Sequence, residues 1–243
     1  MSNYENIIKD NAKEYYETGK QKLSDDVFDA VVDKLKQENP DSDVLTTGWG
    51  YKPDDETKIK HKYCHVGSLD KLKTYDDISK FFKCALPTNI IIFHISAKLD
   101  GMSVVLYYQD GKLDKALTRG DGEYGIDITN KVLHIDGIET ELKDNKFTGA
   151  VRGEIFMTPT NFSKYREEHP EAKNHRNSAI GIINNDDIIE DYKYLSLYVY
   201  TIMYGLSFTN IVTYYEWLEN NFKNIVPYCY TTLKEENYYD RLQ

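Results

Sequence analysis

The chain has 243 residues, 40% of them hydrophobic, and a formal net charge of −10, enough for one sizeable core or one core with a small satellite domain. No apolar run approaches the ~18 residues of a membrane span, and the start MSNYENIIKDNAKEYY lacks the apolar segment of a signal peptide, so the expectation is a soluble, intracellular protein. The acidic balance excludes wrapping of nucleic acid by bulk electrostatics and leaves room only for a local basic groove.

The first 45 residues read as a helical hairpin. Tyr15, Tyr16, Leu23, Val27, Phe28, Val31, Val32 and Leu35 form an apolar stripe at helical spacing. Gly19 interrupts it, Ser24-Asp25-Asp26 opens the second helix with a capping residue, and Asn39-Pro40-Asp41 ends it. Residues 46–66 have no clear period and read as a linker, which places a helical domain with its linker at 1–60 and a second domain at 61–243. Ser68-Leu69-Asp70 precedes a short helix through Ile78, Phe81 and Phe82.

From residue 88 the pattern turns to strands: Ile90 to Ile95, then Ser103 to Tyr108, the turn Gln109-Asp110-Gly111-Lys112, and a returning arm from Leu113 to Thr118. Gly149 to Met157 and Leu195 to Tyr204 are further strands, and helices fall near 160–169 and 211–222. Hairpins mixed with scattered helices predict an α+β fold, mainly antiparallel. Cys64, Cys84 and Cys229 are odd in number and far apart, which suits reduced thiols rather than a disulfide framework or a metal spacing.

Four segments carry candidate chemistry. Lys98-Leu99-Asp100-Gly101 lies between two strands, where a lysine can face a cleft; a neutral amine there is a nucleophile. The plainer alternative is a hairpin turn with a surface lysine. Thr118-Arg119-Gly120-Asp121-Gly122 has the glycine density that lets backbone amides approach an anion, and Arg119 can pair a phosphate; the alternative is a loop without a ligand. Val151-Arg152-Gly153-Glu154-Ile155-Phe156 puts a carboxylate inside an apolar strand, where Glu154 needs a partner: ribose hydroxyls, or Arg152 as a structural ion pair. Asn174-His175-Arg176-Asn177 is either a cationic site or a helix start with a solvated arginine.

In this order, Lys-x-Asp-Gly, Thr-Arg-Gly-Asp-Gly, Val-Arg-Gly-Glu-x-Phe and Asn-x-Arg-Asn-x-Ala resemble the NAD-dependent DNA ligase family, over about residues 10 to 240. Ser68-Leu69-Asp70 ahead of them and Tyr198-Val199-Tyr200 after them fit as well. The N-terminal hairpin is similar to that family's NMN-recognition domain, through Tyr15, Asp25 and Asp29. The resemblance implies a nucleotidyltransferase domain of mainly antiparallel sheets with flanking helices. It implies Lys98 as the nucleophile toward the adenylyl phosphate of NAD, and Asp100 orienting it or helping to place Mg²⁺. Arg119 would contact ribose or phosphate, Glu154 the ribose hydroxyls, Tyr200 the adenine, and Ser68 and Leu69 the pocket wall. Arg176 would approach the phosphate of nicked double-stranded DNA, and Tyr15, Asp25 and Asp29 would hold NMN. A monomer with no membrane partner is expected.

The sequence departs from the family at Tyr16, Phe28, Ser96, Ile126 and Asn184, each removing a hydrogen bond or a charge from the implied site. The family's later Asp-Gly strand and catalytic lysine lie beyond the region like Trp217 to Leu242, and the chain ends at Gln243. The expectation is therefore a truncated ligase, a fragment or a short product, that can attempt self-adenylation and binds DNA weakly. A catalytically impaired module of the same descent, or an ATP-dependent nucleotidyltransferase, are the alternatives.

Overall fold

The computed structural model describes residues 3–18, 22–45, 49, 58–63, 65–67, 72–85, 90–185 and 189–234. In chain order its elements are α1 (Asn3–Thr18), α2 (Asp25–Glu38), β1 (Lys58–Lys60), α3 (Tyr75–Ala85), β2 (Ile90–Ser96), β3 (Met102–Gln109), β4 (Lys112–Thr118), β5 (Tyr124–Ile126) and α4 (Thr129–Val132). Then follow β6 (Gly149–Phe156), α5 (Pro159–Glu168), α6 (His175–Asn184), β7 (Ser196–Tyr204), α7 (Ile211–Asn221) and β8 (Tyr228–Lys234). Two compact units result: Met1–Gly67 with Leu99–Ile225, and Ser68–Lys98 with Val226–Gln243. Among the described residues no helix is long and apolar enough to cross a membrane.

In the larger unit, α1 and α2 form the expected hairpin. Ile8, Val32 and Leu35 bury one face with Val44, and Phe28 and Trp49 pack against them edge to face, ring centroids 5.4 Å apart. Ser24 stands at the N-cap of α2, but its side chain makes no capping bond. The connection is pinned from α1 instead, where Asn11 Oδ1 accepts from the Leu23 amide at 3.0 Å. The stretch read as a linker contains β1, paired antiparallel with β5; three residues are too few for alternation to show.

The centre of this unit is a four-stranded antiparallel sheet in the order β4-β3-β6-β7. The turn Asp110-Gly111 takes left-handed φ values of 49° and 71°, as its Asp-Gly pair demands of a two-residue hairpin loop. Along β6, Val151, Gly153 and Ile155 are buried while Arg152, Glu154 and Phe156 are half-buried, the period-two signature of a strand with one polar face. Cross-strand register puts Ser103 opposite Glu154 and Val105 opposite Arg152. Val105, Tyr107, Leu117 and Ala150 continue that face as a core cluster under Val66, with Met203 packed against it. α6 contacts β3 and β6 and buries Ala179, Ile180, Ile182 and Ile183.

β7 is irregular against β6. Gly153 pairs with Val199 but Arg152 with Thr201, and Val151 pairs with Ile202 but Ala150 with Tyr204. Tyr200 and Met203 are thus extra residues, each at a bulge. Bulges strand ladder amides, and here the Ile202 amide donates to Tyr214 Oη of α7 at 2.6 Å.

In the smaller unit, β2 pairs antiparallel with β8 over its full length, from Ile90↔Lys234 to Ser96↔Tyr228. β8 falls in a stretch with no strand pattern of its own, and its pairing with β2 defines it. His94 lies between Tyr228 and Tyr230, ring centroids 5.1 and 5.6 Å away, and burial lowers its imidazole pKa.

Candidate active site

The connection carrying Lys98 is not a hairpin turn: β2 pairs with β8, whereas β3 pairs with β4 and β6. Lys98 is exposed, follows the Ala97 amide that donates to Pro227 O at 3.0 Å, and closes the first segment of the smaller unit. Two residues on, Asp100 belongs to the larger unit.

There the chain crosses the end of β6. The Gly101 amide donates to Glu154 Oε1 at 3.2 Å, so Glu154, expected in an apolar strand with a partner, has one in the backbone of the lysine motif. Asp100 Oδ1 lies 3.6 Å from Arg176 NH1 at the start of α6. The Asn174 side chain caps that helix by accepting from the Asn177 amide at 3.1 Å, which fixes the turn that presents Arg176.

Next to Glu154, on the same sheet face, lies a second polar group. Arg152 Nε donates to Ser103 Oγ at 2.7 Å and its NH1 to Gly67 O at 2.9 Å. Ser103 Oγ and Tyr200 Oη are 3.1 Å apart, and the Arg152 guanidinium sits 5.7 Å from the centre of the Tyr200 ring. Burial raises the pKa of the Tyr200 phenol, opposed by Arg152, so the hydroxyl stays neutral. Arg152, which the sequence offers as a partner for Glu154 beside ribose hydroxyls, directs Nε to Ser103 and NH1 to Gly67.

Arg119 was expected to reach a phosphate or ribose. Its Nε donates to Val66 O at 3.1 Å and its amide to Ser103 O at 3.0 Å, so part of its guanidinium holds the chain just before Ser68. The glycine-rich loop behind it satisfies many of its own amides. Buried Asp121 accepts from the Glu123 and Tyr124 amides at 2.8 and 2.7 Å, Thr118 Oγ1 from Ile126, and Arg119 O from Gly122. These amides are spent on the loop itself rather than turned toward an anion. His61, not foreseen, supports the same loop. Its Nε2 faces Arg119 O at 3.1 Å and must donate, so Nδ1 accepts from Tyr107 Oη at 2.7 Å. Burial pushes its pKa below the ordinary value.

The larger unit thus brings Asp100, Arg119, Glu154, Arg176 and Tyr200 onto one sheet and its rim. Ser68 and Leu69 lie outside the described residues, as do the side chains of Tyr15, Asp25 and Tyr16. Asp29 is half-buried on α2. Among the described residues one group has metal-ligating spacing, Glu168, His169 and Asp191. Glu168 already accepts from Tyr194 Oη at 2.7 Å, and His169 Nε2 is 3.2 Å from Asp191.

Antiparallel sheets flanked by helices, with a polar cluster on the face reached by the lysine motif, define an α+β nucleotidyltransferase domain. Residues 55–234 match the model of the NAD-dependent DNA ligase adenylation domain, and the chain belongs to that family. It is 36% identical to the DNA ligase of Mycoplasmopsis agalactiae, over 78% of this chain and 30% of that protein. It is 34% identical to the DNA ligase of Wolbachia pipientis, over 74% and 27%, and 34% identical to that of Leptospira biflexa, over 82% and 31%. The chain therefore spans about 30% of the length of the curated relatives it matches.

Proposed function

We propose that this chain carries out the self-adenylation step of an NAD-dependent DNA ligase. The Lys98 amine attacks the adenylyl phosphorus of NAD. A nitrogen–phosphorus bond forms, the phosphoanhydride bond to the nicotinamide half breaks, NMN leaves with the bridging oxygen, and the amine proton is lost to solvent, leaving lysyl-AMP. Asp100 orients the amine, Glu154 takes the ribose hydroxyls, Arg119 the ribose or phosphate, and Tyr200 stacks on adenine. Ser68 and Leu69 line the pocket. Tyr15, Asp25 and Asp29 hold NMN in line as leaving group. The division into an NMN-recognition part at 1–60 and a transfer part at 61–243 belongs to this proposal.

The observation that carries the reading is the bond from Gly101 to Glu154: it ties the nucleophile's own motif to the carboxylate assigned to ribose. Asp100 is the carboxylate of that motif and already faces Arg176. Mg²⁺ would be carried mainly on nucleotide phosphates and water, with the single carboxylate of Asp100 as the protein oxygen that would help to place it, and would supply charge neutralisation. Arg176 then meets the 5′-phosphate of nicked DNA. Action as an intracellular monomer, in replication and repair, completes the proposal.

The test is incubation with Mg²⁺ and NAD labelled in the adenylate, and separately with labelled ATP. Covalent label from NAD on Lys98, stable to alkali and released by acid as a nitrogen–phosphorus bond requires, and abolished by Lys98→Ala, is expected. Label from ATP alone would overturn the choice of donor, and label from neither would overturn self-adenylation. Phe28 favours a weakened NMN step: where the family has a tyrosine, its ring is packed against Trp49. A KM for NAD that Asp29→Ala leaves unchanged would remove the hairpin from the reading.

A further inference from the structure

Two arginines of the larger unit hold two consecutive carbonyls. Arg119 Nε is bonded to Val66 O and Arg152 NH1 to Gly67 O, so the chain is clamped on the two residues directly before Ser68. Arg152 also reaches Tyr200 by two routes, through Ser103 Oγ and through its guanidinium near the ring. Tyr200 sits at a bulge, outside the regular ladder, and a bulge re-aims the side chain it carries.

We infer that Arg152 is a positioning residue for the nucleoside half of the donor: it fixes the Tyr200 ring through Ser103 and ties that ring to the segment leading into Ser68 and Leu69. The inference rests on the proposed stacking of Tyr200 on adenine. A planar fork suits the task, because two donors on one rigid group serve Ser103 and Gly67 at once. A lysine offers donors from a single point and satisfies one of them at a time. With the guanidinium near one side of the Tyr200 ring, the base stacks on the other.

The experiment compares adenylation of Lys98 by NAD in the full chain for the wild type, Arg152→Ala, Arg152→Lys, Ser103→Ala, Tyr200→Ala and the Arg152→Ala/Tyr200→Ala pair. Expected for Arg152→Ala is a KM for NAD raised about tenfold, the worth of one or two lost hydrogen bonds, with kcat within about twofold. Arg152→Lys recovers part of the loss, and Ser103→Ala shows a smaller rise. In the Tyr200→Ala background, Arg152→Ala changes KM by less than about twofold, because the residue acts through the missing ring. An unchanged KM, a loss confined to kcat, or the same tenfold rise without Tyr200 would overturn the inference. If the wild type takes no label from NAD, titration with AMP decides. Weaker AMP binding by Arg152→Ala upholds the inference apart from the reaction, equal binding overturns it alone, and no AMP binding by the wild type overturns it together with the proposed function.

Discussion

Gly101→Ala separates packing from chemistry in the lysine motif. A Cβ on Gly101 would lie 2.1 Å from Ile155 O and 2.7 Å from Phe156 Cβ, so backbone must move. Forcing a methyl into such a contact costs about 1–3 kcal/mol. The displaced Gly101 amide also weakens its bond to the Glu154 carboxylate, for roughly 1.5–3 kcal/mol if fully lost. Against this, the less flexible unfolded chain contributes about 0.4–1 kcal/mol of stabilisation. The net loss is ~2–4 kcal/mol, and at about 2–4 °C per kcal/mol in a chain of this size the Tm falls by roughly 5–15 °C. Thermal unfolding followed by near-ultraviolet circular dichroism reads it directly. A Tm within ~1 °C of wild type would refute the close approach of residue 101 to β6, whatever the variant's activity.

Gly181→Ala should do the opposite. Nothing lies within 4 Å of a Cβ there, and position 181 is inside α6, so a gain of about 0.5–1 kcal/mol is expected in urea unfolding. Asp121→Ala leaves the Glu123 and Tyr124 amides without their acceptor and should cost roughly 2–4 kcal/mol; a wild-type urea midpoint would contradict the loop geometry. His61 titrates lower in the folded chain than in the unfolded one, so the unfolded state binds more protons in the window between the two values. Stability therefore falls as pH drops through about 6.5 and levels off below the folded value. His61→Gln should flatten that slope, and an unaltered slope would assign the pH dependence elsewhere.

The strands of the larger sheet were legible because alternation and the Asp110-Gly111 turn are local signals. The helices of 159–168 and 211–221 were legible for the same reason, each opened by a capping side chain, Thr158 and Asn210. β8 was not: Tyr228-Cys229-Tyr230-Thr231-Thr232 acquires its meaning from β2, more than 130 residues earlier. Glu154 stood out in sequence as a charge within an apolar run. The sequence offers Glu154 either ribose hydroxyls or Arg152, and could not show that Gly67, 85 residues away, takes the NH1 of Arg152. The glycine-rich loop matched an anion cradle in composition, yet Asp121 and Thr118 take three of its amides, which composition does not reveal.

The two slips in β7 have a consequence for how this surface tolerates change. Strict alternation along residues 198–204 would share side chains evenly between the faces. With one additional residue at Tyr200 and another at Met203, the strand delivers both to the face carrying Ser103 and Val105 without turning Val199 out of the core. Tyr200 and Thr201 therefore stand together opposite Arg152. Removing a single residue between Val199 and Ile202 would leave one residue opposite Arg152 and restore a regular ladder there, with Val199 and Ile202 keeping their partners. In a regular stretch the same deletion would flip every following side chain to the other face, so deletion scanning of β7 would find its tolerated positions at the two slips.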